Sequence, residues 1–199
     1  MNVLYIDSCV RENSRTAKLA QYFLGKLDSN AHISQVNIGS LDLPPVDAQF
    51  LKMRDNAVAS GDFSHDIFSI AKQFAKAELI VIAAPFWDLS FPAALKQYFE
   101  HINVLGLTFS YSEQGVPISL CKAQKLVYIT TAGGQIFNQE YGYGYIKALA
   151  QTFYGVKETT LFKAQELDIL GADTDAILKR TMREIDSYFL KGSEENGQT

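Results

Sequence analysis

The sequence predicts an α/β fold: a doubly wound, five-stranded parallel sheet with strand order 2-1-3-4-5. Three observations lead there. Short apolar, β-branched runs alternate with longer segments of helical period, the pattern that βαβ units produce. The run "LIVIAA" at 79–84 is apolar throughout, as a central parallel strand covered on both faces must be. The segments following the first, third and fourth apparent strands, "DSCVRENSRT", "PFWDLSFP" and "TAGGQ", are unusual in composition. A sheet of this order places its ligand there, beyond the carboxyl ends of the strands near the switch point.

Each element has its own justification. "NVLYI" (2–6) reads as the first strand and "TAKLAQYFLGKL" (16–27), apolar at helical spacing, as the first helix. "HISQVNI" (32–38) is the second strand, and the Pro-containing "LDLPPVD" (41–47) is a connector. A helix follows over 65–77, then the all-apolar strand at 79–85 and a helix over 92–103 for which Pro92 suits the first position. "KLVYITT" (125–131), a helix near 145–154, a strand near 159–164 and a helix over 175–189 complete five strands and five helices. They form a single domain over residues 1–190, and the polar "KGSEENGQT" (191–199) is expected to fray or be disordered.

Bulk properties narrow the partner. The chain has 199 residues, a net charge of -4 and a pI of about 5.4, whereas a nucleic-acid surface would show a basic stripe. A small molecule is therefore expected, and no nucleic acid. The longest apolar run is too short to span a bilayer, and "MNVLYID" reaches an acid before a signal-peptide apolar region could form. No membrane partner and a cytoplasmic location are the expectations. Cys9 and Cys121 form no C-x-x-C pair, and His32, His65 and His101 have no metal-ligand spacing, so no metal is expected.

The first unusual segment, "SCVRENSRT" (8–16), supports two readings. In one, Cys9 is a nucleophile, because Cys9, Arg15 and Thr16 have the C-x5-R-[ST] spacing of cysteine-dependent phosphatases. In the other, Ser8, Arg11, Ser14 and Thr16 hold the phosphate of a bound cofactor at the N-terminus of the first helix, whose dipole favours an anion. Ser14 alone could equally be a helix cap. In the second segment, Pro85, Phe86 and Trp87 stand at a strand end and can wall a planar ring, while Phe91 could as well pack in the core. In the third, Gly133 and Gly134 permit close backbone approach to a ligand, or make a plain turn.

Taken together, "VLYIDSCVRENSRTAKLA", "AELIVIAAPFWDLSFPAALKQYFEHI", "GLTFSYSEQG" and "KLVYITTAGG" resemble the FMN-dependent NADH:quinone and azo-compound oxidoreductases of the flavodoxin-like superfamily. The resemblance runs from about residue 1 to residue 190, and its most specific part is the stretch from Ala84 to Tyr111. It implies bound FMN, with Ser8, Arg11, Ser14 and Thr16 at its phosphate. Pro85, Phe86, Trp87, Asp88 and Leu89 would follow the flavin ring, and Thr131, Gly133 and Gly134 its pyrimidine side. It also implies a homodimer in which Tyr111 helps cover the partner's flavin, with Trp87 and Tyr111 as the residues that would bind the substrate. NADH or NADPH would deliver a hydride, and a small planar acceptor, a quinone or azo compound, would take two electrons in a ping-pong sequence.

This chain has Phe86-Trp87-Asp88-Leu89 where azoreductases commonly have Tyr-Asn-Phe, and Thr131-Ala132-Gly133-Gly134 where many have Ser-Arg-Gly-Gly. Asp88 then either lies near the ring, where its charge would oppose reduction, or caps the helix that follows. Two rivals remain. The phosphatase reading lacks a glycine in "VRENS" and any Asp-Pro dipeptide for a general acid. A flavodoxin-type electron carrier without its own catalysis would tend to be more acidic than this chain.

Overall fold

The computed structural model describes residues 1–196. Its main sheet is parallel throughout and has five strands: β1 (Asn2–Asp7), β2 (His32–Asn37), β3 (Leu79–Ala83), β6 (Lys125–Thr131) and β7 (Glu158–Ala164). They lie in the order β2-β1-β3-β6-β7, which is 2-1-3-4-5 when only these five are counted. β3 is buried along its whole length, as its unbroken apolar run requires.

Alternation along the central strands sorts their side chains into two cores. Leu4, Ile6, Ile80, Ile82 and Tyr128 point to one face, where they meet Phe74 of α3 (Ser69–Lys76), Phe99 of α4 (Ala93–Ile102) and Ile146 of α5 (Tyr145–Thr152). Val3, Tyr5, Val81, Val127 and Ile129 point to the other, against Phe23 of α1 (Arg15–Leu24) and Ile185 of α6 (Thr174–Asn196). A period of two in the strands thus meets a period of 3.6 in the helices on each side.

The structure departs from the sequence expectation in three places. A sixth helix, α2 (Ala48–Ser60), follows the Pro-containing connector; Asp47 caps it by accepting from the Phe50 N–H at 2.8 Å, and Gly61 ends it at φ 69°. Only Phe50 of this helix is fully buried, with Ala57 and Val58 partly buried against the core, so its apolar stripe is thin. An antiparallel hairpin, β4 (Phe109–Tyr111) with β5 (Pro117–Ser119), stands apart from the main sheet. The tail expected to fray from 191 continues as α6 to Asn196, and 197–199 lie outside the described residues.

Backbone hydrogen bonds carry the ladder beyond the strand ends. Ser8 N–H donates to Ala83 O (2.9 Å), Ala84 N–H to Ile129 O (3.0 Å), Phe86 N–H to Thr131 O (2.9 Å) and Ala132 N–H to Ala164 O (2.9 Å). The loops after β1, β3, β6 and β7 are therefore held side by side.

Candidate cofactor site

At this carboxyl edge lies a cleft of about 310 Å³, within the size range of small-ligand sites. One wall is the loop after β1 and the start of α1: Cys9, Arg11, Ser14, Arg15 and Thr16. Pro85, Phe86 and Trp87 form a second wall, and Thr131, Gly133 and Asp168 close the third. The three segments singled out in the sequence do converge on one place.

Ser14 is the N-cap of α1, and its Oγ accepts from the Ala17 N–H at 3.2 Å. A hydroxyl that accepts in this way keeps its proton to donate elsewhere, so capping and ligand binding are compatible. The hydroxyls of Thr16 and Thr131 bond to each other at 2.6 Å, buried between α1 and the end of β6. That bond uses one of their two protons and leaves the other for a ligand. Ser8 is buried behind this wall, and its hydroxyl has no hydrogen-bond partner among the described residues.

Cys9 borders the cleft, but burial pushes its thiol up to about 12. A nucleophilic cysteine needs the opposite shift. The arginine of the C-x5-R spacing is engaged as well: Arg15 donates to the Asp168 carboxylate at 2.8 Å and to Leu167 O at 3.2 Å. Neither group is prepared for attack on a phosphate ester.

The second wall ends in a tight turn. Trp87 and Ser90 exchange both backbone hydrogen bonds, at 3.0 and 2.7 Å, with Asp88 at φ 48° and Leu89 at φ 68° between them. The Ser90 hydroxyl donates to Tyr141 O at 2.5 Å, tying the turn to the segment before α5. Phe91 packs in the core against Phe99 and Tyr145. Asp88 does not cap α4, whose N-cap is Pro92 with no side-chain bond; it is solvent-exposed.

Of the residues expected at the site, Arg11, Ser14, Thr16, Pro85, Phe86, Trp87, Thr131 and Gly133 border the cleft. Ser8 lies behind it, Asp88 and Leu89 lie on the exposed turn beyond Trp87, and Gly134 borders a separate shallow groove with Phe137 and Ile169. Tyr111 stands on the β4–β5 hairpin and does not line the cleft of its own chain. Sequence reasoning missed Asp168, which sits in no motif and meets the cleft only through the return from β7.

Known proteins agree with this architecture. A model of the family described as having a flavodoxin-like fold matches residues 1–189. The FMN-dependent NADH:quinone oxidoreductase of Coprothermobacter proteolyticus is 36% identical, the match covering 92% of this chain and 94% of that protein. The protein of the same name from Clostridium beijerinckii is 33% identical, over 90% and 93%. Among solved structures, an FMN-dependent NADH-azoreductase from Bacillus anthracis in complex with FMN superimposes with a TM-score of 0.79 at 23% identity, covering 94% of this chain and 96% of the other. The chain belongs to the flavodoxin-like family and, within it, to the FMN-dependent NADH:quinone oxidoreductases.

Proposed function

We propose that this chain is an FMN-dependent oxidoreductase that takes a hydride from NADH or NADPH and passes two electrons to a quinone, azo compound or similar planar acceptor, in alternating half-reactions. The observation that carries the reading is the convergence of a capped helix N-terminus, a hydroxyl-rich loop and an aromatic wall on one cleft. The residues fit the cofactor. The hydroxyls of Ser14 and Thr16 and the cationic Arg11, all bordering the cleft, are a donor set that suits a phosphate monoester.

Bound FMN would supply the redox chemistry, since hydride acceptance and two-electron storage belong to the flavin. The chain's own residues do the rest. Ser14 would donate its free proton to a phosphate oxygen, its own oxygen remaining on the Ala17 N–H. The free proton of the Thr16–Thr131 pair is available to the ligand between them. Arg11 brings fixed positive charge to the same end. Phe86 and Trp87 wall a planar ring and exclude water from it. Backbone donors of the 131–134 loop offer stabilisation where negative charge gathers on a reduced ring. No side chain need act as a general acid, because the Cys9 thiol holds its proton firmly and Asp168 is paired with Arg15; water supplies the protons.

A homodimer completes the proposal. The β4–β5 hairpin and its flanks expose Val116, Ile118 and Leu120 on one face, an apolar surface that a second copy would cover, and Tyr111 on the other, from which it would reach the partner's cleft.

Flavin binding and NADH oxidation test the reading. The protein should bind FMN non-covalently, and NADH should bleach the oxidised flavin directly; a flavin that binds but does not bleach would make the chain a carrier. Ser14→Ala should weaken FMN about tenfold, the loss of one charge-assisted hydrogen bond, and leave riboflavin unchanged. Equal losses for both flavins would remove the phosphate assignment.

A further inference from the structure

Arg15 lies between two proposed phosphate-loop residues, Ser14 and Thr16, yet its guanidinium turns away from that loop to the return from β7. There it donates to the Asp168 carboxylate and to Leu167 O, and Leu167 O also accepts from the Thr174 hydroxyl at the start of α6 at 3.1 Å. The returning segment is itself bound to the loop after β6 by three backbone bonds. Glu166 N–H donates to Gly134 O (3.0 Å), Leu167 N–H to Ala132 O (3.2 Å) and Asp168 N–H to Gly133 O (2.9 Å). Glu166 is held at φ 67°, a left-handed conformation costly for a residue with a side chain. The Asp168 side chain occupies the space beside Gly133, where an added Cβ would lie 2.3 Å from Oδ2 and 3.0 Å from Cγ.

We infer that Arg15 and Asp168 are positioning residues: together they seat Gly133 and the 131–134 loop against the flavin ring, so that Arg15 acts at the ring end of the cleft and not on the phosphate. Resting on the FMN reading above, this gives a role to the one arginine that the phosphate-loop pattern left without a function. Arg15 has a second effect by the same contact. It neutralises the carboxylate that borders the cleft, where an unpaired negative charge would repel the cofactor's phosphate.

Charge and position separate in a double variant. Arg15→Met combined with Asp168→Ala leaves the net charge unchanged and removes both halves of the clasp. FMN and riboflavin affinities, measured by fluorescence quenching on the full chain, should then fall by the same factor, about fivefold for a half-exposed pair. Arg15→Met alone should weaken FMN more than riboflavin, because Asp168 is left uncompensated. A selective loss of FMN in the double variant would overturn the inference and make Arg15 a direct phosphate ligand.

A second arm needs no flavin. Gly133→Ala should lower the thermal midpoint, because its Cβ collides with the Asp168 side chain, whose own Cβ would lie 3.2 Å away, and adding Asp168→Gly should return the midpoint to that of Asp168→Gly alone. A deficit that persists without the Asp168 carboxylate would refute the seat assigned to Gly133. Failure of the unsubstituted protein to bind either flavin would overturn the FMN reading, while this midpoint comparison would still decide whether Asp168 seats Gly133.

Discussion

Thr16→Val replaces a hydroxyl by a methyl group at nearly constant volume. Thr16 is 1% exposed and Thr131 8%, and their hydroxyls are 2.6 Å apart across 115 residues of sequence. The substitution strands the Thr131 hydroxyl, which costs roughly 2 kcal/mol for a buried polar group left without a partner. The buried methyl returns about 0.8 kcal/mol, for a net loss of about 1 kcal/mol. Replacing both residues by valine removes the stranded group as well, so Thr16→Val with Thr131→Val should be close to neutral. Urea unfolding of the four proteins gives the coupling directly. Cofactor affinity should behave differently: the double variant, though its stability recovers, has lost the hydroxyl proton left for the ligand and should bind FMN more weakly than either single variant. Stability effects that add to within about 0.5 kcal/mol would show that the two hydroxyls do not interact.

Two further outcomes follow from burial. Cys9 and Cys121 are both pushed up to about 12 from a usual 9.0, chiefly by burial; a folded-state value raised in this way gives stability that is intact below about pH 9 and is lost as pH climbs toward 12, at roughly 1 kcal/mol per pH unit for each thiol. Unfolding midpoints between pH 9 and 10 should therefore fall more steeply for the natural chain than for Cys9→Ala with Cys121→Ala, in which the buried Tyr5, Tyr98, Tyr128 and Tyr154, also raised by burial, still give a residual slope; equal slopes would contradict the buried-thiol assignment. Ile118→Asp should convert a dimer to a monomer in sedimentation at micromolar concentration, whereas a natural chain already monomeric and fully active would count against the hairpin interface.

The parallel sheet was legible in the sequence because its strands have one unambiguous physical signature: β3 is covered on both faces, so no polar residue interrupts it. The same logic hid α2. A helix whose core contacts are Phe50 and the partly buried Ala57 and Val58 leaves too few apolar positions to stand out as a period. The β4–β5 hairpin escaped because three-residue strands are too short to show alternation. At the site, hydroxyls and aromatics gathered within short loops could be read directly. The partnership of Arg15 with Asp168 could not be, since it joins groups 153 residues apart, and only the return from β7 brings them together. The C-x5-R spacing misled for a related reason. Spacing says which residues are near in the chain, while the reactivity of Cys9 is set by burial and the orientation of Arg15 by a carboxylate from another loop.

The distribution of strained backbone shows how the site is kept in shape. Among the described residues, the non-glycine residues at positive φ are Asp88, Leu89 and Glu166, and all three lie in loops beside the cleft. Aspartate tolerates this region; leucine and glutamate pay about 1 kcal/mol or more each to remain in it. Such conformations persist only where surrounding bonds over-determine them. Leu89 is locked inside the Trp87–Ser90 turn by its paired backbone bonds and by the bond from the Ser90 hydroxyl to Tyr141 O. Glu166 is locked by its bond to Gly134 O and by the ion pair two residues on. The two locks differ in kind. The first uses neutral bonds at the mouth of the cleft, where Trp87 and Leu89 are exposed; the second uses a charge pair next to the Gly133 wall. Relaxing the first should therefore change which acceptors fit, with cofactor affinity little altered, while relaxing the second should loosen the flavin itself. Divergence from the common azoreductase pattern at 86–89 takes in the cleft-lining Phe86 and Trp87 as well as the exposed Asp88 and Leu89, so exchange of 88–89 alone should alter acceptor preference with little effect on cofactor affinity, while exchange of 86–87 should weaken the cofactor as well.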